Sequence, residues 1–115
     1  MKKVIRFDEG KKVELPILGE AKGYSRILIN KELTGAKNYA LQVSEIFPNG
    51  VSKTHSHDVE HGFFILNRQG VITIDEEDYQ VAPDMAIYVP AAANHTIKNV
   101  GTEPLRYIVI YAPPL

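Results

Sequence analysis

The chain of 115 residues contains no cysteine. Thiolate catalysis, thiolate metal ligation and disulfide bonds are therefore excluded. It also lacks a surplus of charge. Thirteen basic residues against 14 acidic ones leave a net charge of −1, which is no electrostatic footprint for nucleic acid or an anionic membrane. Apolar runs are short, and none approaches the roughly 20 residues of a membrane span. The first residues, Met1-Lys2-Lys3-Val4-Ile5-Arg6-Phe7-Asp8-Glu9, have the basic character of a signal peptide without the apolar stretch that should follow. The expectation is a soluble, cytoplasmic protein that binds neither nucleic acid nor membrane. Helical periodicity is missing as well, and Lys31–Lys37 could hold one helical turn at most. There is no internal repeat, linker or low-complexity tract.

What remains is β-structure. Short runs rich in Val, Ile, Tyr and Phe recur between Gly, Pro, Asn and Asp. Strands are expected near Lys3–Phe7, Tyr24–Asn30, Asn38–Phe47, Val51–Ser56, His61–Leu66, Val71–Asp75, Tyr79–Val81, Ala86–Val89, His95–Lys98 and Leu105–Tyr111. Pro48-Asn49-Gly50 and Asn67-Arg68-Gln69-Gly70 read as tight turns in which glycine takes positive φ. Asp75–Asp78 reads as a charged, solvated hairpin tip. Residues 1–115 are expected to form one all-β domain, a sandwich or barrel.

The chemistry is concentrated in four histidines, all in two short segments: His55, His57 and His61 in the first, His95 in the second. His55, His57 and His61 share parity, so on an extended strand their side chains leave one face. Glu60 has the opposite parity. It competes with His61 as a ligand only if a bulge between Asp58 and His61 reverses the faces. Otherwise it is a surface residue, or one that orients an imidazole through its N–H. On Leu105–Tyr111, one face carries Tyr107, Val109 and Tyr111. On Asn38–Phe47, the polar parity is Gln42 and Ser44. Tyr107 and Tyr111 are the candidate acid–base groups; Gln42, Ser44 and Val109 are candidate pocket residues.

These segments resemble the two motifs of the cupins, small double-stranded β-helix barrels of the jelly-roll type. The first motif, G-x5-H-x-H-x3–4-E-x6-G, is matched by Gly50, His55, His57 and Gly70, with His61 at the usual glutamate position. The spacing after Gly50 is one residue short, and the closing hairpin is two residues longer. The second motif, G-x5-P-x-G-x2-H-x3-N, is matched by Pro90, His95 and Asn99, with Asp84 and Ala92 where the family has glycine. Motif 1 spans about 50–70 and motif 2 about 84–99, and the resemblance runs from about Asn38 to Tyr111.

The resemblance implies a metal site formed by His55, His57, His61 and His95. Small bacterial manganese-binding cupins and zinc-dependent aromatic polyketide cyclases have such a set. One divalent ion per chain is expected. Manganese is favoured by the resemblance, whereas imidazole chemistry alone also suits Fe, Zn, Ni or Cu. Four neutral imidazoles leave the charge of the ion uncompensated, which favours an anionic or chelating small-molecule substrate. Oxygenase or oxidase chemistry on a small oxygenated molecule is the leading expectation. The alternatives are a non-redox lyase, isomerase or polyketide-cyclase-type enzyme, and a metal-bound small-molecule sensor without turnover. Apolar residues on both faces of Tyr24–Ile29 and Leu105–Tyr111 further suggest a homodimer, unless Met1–Glu20 covers the outer face.

Overall fold

The computed structural model describes residues 1–18, 22–54 and 56–113. Among these residues eleven strands form two antiparallel sheets. The strands are β1 (Lys11–Glu14), β2 (Ile17–Leu18), β3 (Gly23–Ile29), β4 (Ala40–Ile46), β5 (Val51–Ser52) and β6 (Glu60–Asn67). They continue with β7 (Gly70–Ile74), β8 (Glu77–Val81), β9 (Ala86–Val89), β10 (His95–Asn99) and β11 (Leu105–Ala112). One sheet has the order β1-β3-β4-β11-β6-β9 and the other β2-β5-β10-β7-β8. This is the all-β sandwich expected from the strand pattern, in the jelly-roll form that the resemblance implies. Helix is confined to one turn of α1 (Lys31–Thr34) and a 3-10 turn at Phe7–Glu9. Among the described residues no helix is long and apolar enough to cross a membrane.

The sheets face each other through the alternate residues of each strand. Ile46, Ile65 and Leu105 from the larger sheet meet Ile72 and Ile97 from the smaller one, all at most 3% exposed. Burying each such side chain contributes roughly 1.5–3 kcal/mol. Strand β6 is paired on both edges. His61 is opposite Tyr111 of β11 and Val89 of β9, and Phe63 is opposite Val109 and Ile87. Its burial alternates accordingly, with His61, Phe63 and Ile65 inside and Glu60 and Phe64 exposed.

Asn99, which closes the second motif, is a structural latch. Its fully buried amide donates to the carbonyls of Ile46 and Glu103 and accepts from the Gly101 N–H, each at 2.8 or 2.9 Å. It ties β10 to the end of β4 and to the loop before β11.

Three expectations need correction. The N-terminal strand is β1 at Lys11–Glu14, not Lys3–Phe7. Phe7 sits in the 3-10 turn, its ring 5.4 Å from the Arg26 guanidinium and 4.6 Å from that of Arg106, so cation–π contact holds this segment on the sheet. Strand β5 stops at Ser52, where the Lys53 N–H turns to the carbonyl of Pro16. His57 is thus not on a strand, and parity does not place it. Positive φ falls on Asn49 (67°) and Arg68 (64°) rather than on Gly50 and Gly70. Gly70 is needed for close approach, because a Cβ there would lie 2.7 Å from the Lys98 carbonyl oxygen.

Asp84 and Ala92, which stand at the family's glycine positions, both keep the left-handed backbone, at φ 69° and 65°. Aspartate tolerates this region, but alanine is strained there. Ala92→Gly should therefore raise the unfolding free energy by about 1 kcal/mol. Urea denaturation would show the gain; a loss of stability would mean that the Ala92 methyl makes contacts outweighing the strain.

Candidate functional site

Between the sheets lies a cavity of about 500 Å³. His57, His61 and His95 line it together. Their ring centroids are 4.7 Å apart for His57 and His61, 5.5 Å for His61 and His95, and 5.9 Å for His57 and His95. Three elements bring them there. His61 comes from the start of β6 and His95 from the start of β10. His57 comes from the loop before β6, where its carbonyl accepts the Ala92 N–H at 2.6 Å. That bond links the two histidine-bearing segments directly. The His55 expectation lies outside the described residues.

Backbone carbonyls orient two of the rings. Nδ1 of His61 lies 3.2 Å from the Val59 carbonyl oxygen, and Nδ1 of His95 lies 3.1 Å from that of Ala93. A carbonyl only accepts, so each Nδ1 carries the proton and donates it. In the neutral ring the lone pair is then on Nε2, the atom available for a metal. The chemistry of this donor set fits a divalent ion. Among the described residues no group of three or more His, Asp or Glu side chains is arranged so that it could hold a metal ion.

Glu60 is on the outside of β6, exposed, and accepts a hydrogen bond from the Tyr88 phenol. It is on the opposite face of β6 from His61, and the Val59 and Ala93 carbonyls hold the His61 and His95 rings.

Tyr107, Tyr111, Gln42, Ser44 and Val109 all line the same cavity. The Tyr111 ring is 5.4 Å from that of His61. Tyr107 is deeper, 5.5 Å from Phe63, whose ring is in turn 6.0 Å from His95. Ser25 of β3 also lines the cavity and was not anticipated. Its signal was a single polar residue at inward parity in an apolar run, but its partners lie on another strand.

The family is decided by the sequence between the two histidine segments and their flanking strands. A family profile described as the cupin domain matches residues 42–111. The chain belongs to the cupin family. It is 38% identical over 72 residues to an uncharacterized protein of Methanocaldococcus jannaschii, covering 60% of this chain and 57% of that one. It is 28% identical over 97 residues to the dimethylsulfoniopropionate lyase DddW of Ruegeria pomeroyi, covering 84% and 62%. The chain thus spans less than two thirds of these curated relatives. Among solved structures, the polyketide cyclase RemF of Streptomyces resistomycificus superposes with a TM-score of 0.81 at 26% identity, over 97% of this chain and 80% of that one. A cupin-2 domain protein of Rhodospirillum rubrum superposes with a TM-score of 0.78 at 19% identity and supports the fold alone.

Within this cupin barrel the two tyrosines hold their protons firmly. Burial pushes the Tyr107 phenol well above the ordinary range, and a hydrogen bond from Ser44 offsets that only in part. Burial also raises Tyr111. Folded Tyr107 therefore binds its proton more tightly than the unfolded chain, whose phenols titrate near about pH 10. Its contribution to stability is full below about pH 10 and is lost as pH rises through the folded value. The unfolding free energy of the wild type should accordingly fall more steeply above about pH 10 than that of Tyr107→Phe. Equal alkaline slopes in urea titrations of the two proteins would contradict the assignment.

Proposed function

We propose that this cupin is a metal-dependent enzyme acting on a small, mostly apolar oxygenated molecule, and that its reaction is of the non-redox lyase or cyclase class. The observation that carries the reading is the convergence of three imidazoles on one cavity, two with Nδ1 committed to backbone carbonyls. His57, His61 and His95, with His55, would hold one divalent ion per chain, and the family resemblance favours manganese. Such an ion supplies Lewis-acid polarisation of an oxygen atom on the substrate.

The chain's own residues do the rest. Phe63, Val109 and Ile97 offer the substrate apolar wall and keep water from it. Tyr107, deep in the cavity, is a protonated donor that can bind a substrate oxygen, while Tyr111, beside His61, donates its phenol proton to Gln42. Between the two reaction classes, the lyase and the cyclase among the relatives weigh on the non-redox side. Oxygenase chemistry, the leading expectation from the sequence, would use the same imidazoles. It is distinguished by dioxygen uptake during turnover.

Elemental analysis of purified protein should find one divalent ion per chain. His61→Ala should weaken metal binding by more than the roughly 10–100-fold typical of losing a supporting residue, while Glu60→Gln should stay within a few-fold of wild type. The opposite order would overturn the ligand assignment.

A homodimer remains part of the proposal. Phe64, Ile110 and Tyr88 are 38%, 43% and 62% exposed, and the strand register sets them on the outer face of the larger sheet around Gly62. Phe7 and its turn are seated at Arg26 and Arg106 of that face. Light scattering at micromolar concentration should give twice the 12.9 kDa chain mass. A monomer would remove the dimer from the account.

A further inference from the structure

Ser52 brings a hydroxyl into the cavity wall whose proton the chain does not use. It ends β5, a strand of two residues whose pairing with β10 is Val51 opposite Lys98. Beyond that short ladder the Ile97 N–H donates to Ser52 Oγ at 2.9 Å. A backbone N–H can only donate, so the direction of this bond is fixed and the serine oxygen accepts. Its own proton remains. Among the described residues the Ser52 side chain makes no other hydrogen bond.

Ser52 is 1% exposed and lines the cavity. Accepting the Ile97 N–H needs no proton, and a buried O–H without an acceptor costs stability. The cavity is where an acceptor can be supplied. Holding the oxygen by one lone pair also limits the directions of the O–H before a ligand arrives, which lowers the cost of ordering it. The position relative to the imidazoles follows from β10. His95 and Ile97 are both buried on its inward face, two residues and about 7 Å apart along the strand. Ser52 is bonded at Ile97, so its hydroxyl stands about that far along β10 from His95. One benzene ring with para substituents covers such a step.

We propose that Ser52 is a specificity-determining donor whose O–H binds an acceptor oxygen, such as a ketone, on a ligand whose other end is at the imidazoles. The site then selects small molecules with two oxygen functions about one ring apart over those with a single one. This rests on the reading of the cavity as the ligand site, but not on which ion the imidazoles hold.

The test uses two probes of one shape, 4-acetylbenzoate and 4-isopropenylbenzoate. Each has a carboxylate for the imidazole end, and they differ in the distal acceptor oxygen. Dissociation constants are measured by calorimetry on the full chain, as purified and after chelator treatment, and the ratio is read in each state that binds the probes. The wild type should prefer the ketone about tenfold, the effect of one good hydrogen bond. Ser52→Ala should bring the ratio near one, with the affinity for 4-isopropenylbenzoate unchanged. A purely structural role would weaken both probes alike and leave the ratio as in the wild type. If Ser52→Ala does not fold, Ser52→Cys carries the test, because a thiol is a weak donor, and the ratio should fall there too. No ketone preference in the wild type, or its survival in the Ser52 variant, would overturn the proposal. Survival there with loss in Tyr107→Phe would give the ligand oxygen to Tyr107 instead. Failure of both probes to bind the wild type in either state would overturn the reading of the cavity as a ligand site, and the proposal with it.

Discussion

The double pairing of β6 is the constraint on which both core and site depend. Glu60–Asn67 is held between β11 and β9, so its register is fixed from two sides. A slip of one residue would bring Glu60, Gly62 and Phe64 inside and expel His61, Phe63 and Ile65. The same ladder that buries Ile65 therefore delivers an imidazole to the cavity. Stability and site geometry are not separate achievements here. Any change that loosened the β6–β11 pairing would disturb His61, Tyr111 and the apolar wall together.

A second layer of constraint acts on orientation. The Val59 and Ala93 carbonyls each take the Nδ1 proton of a histidine two residues further along the chain. Main chain thus does what a carboxylate does in many metal sites. This economy matches the sequence, which has acidic residues near the histidines but sets Glu60 on the outside, bonded to Tyr88. On the remaining wall Tyr111, Gln42, Ser25 and Ser44 are joined by hydrogen bonds in that order, so their buried polarity is satisfied. The cavity is thereby divided into an imidazole region, an apolar middle and a hydroxyl-bearing far wall.

Much of this was legible in the sequence, for physical reasons. Runs rich in Val, Ile, Tyr and Phe between turn residues marked β4, β6 and β11, and parity along β6 distinguished His61 from Glu60. The N-terminal strand was misread because β1 is an edge strand of sequence Lys-Lys-Val-Glu, with only Val13 part-buried. Meanwhile the apolar-looking Val4–Phe7 run is used to seat Phe7 on two arginines. The path of His57 was misread because its loop is held by a bond to Ala92, 35 positions away in sequence, and parity carries no information about such a link. The missing glycines at Asp84 and Ala92 did not alter the turns, since both residues take the left-handed conformation at some cost. Ser25 was missed because its meaning comes from a cross-strand partner.

The central claim is that backbone carbonyls hold His61 and His95 with Nε2 unprotonated and available in the cavity. Nitrogen-15 NMR of the histidine side chains in metal-free protein near neutral pH tests it most directly. The account predicts that both rings are neutral Nδ1–H tautomers, the form less common in free imidazole side chains, and that their Nε2 resonances move when a divalent ion is added. Nε2–H tautomers at both positions, or Nε2 resonances indifferent to the ion, would contradict it.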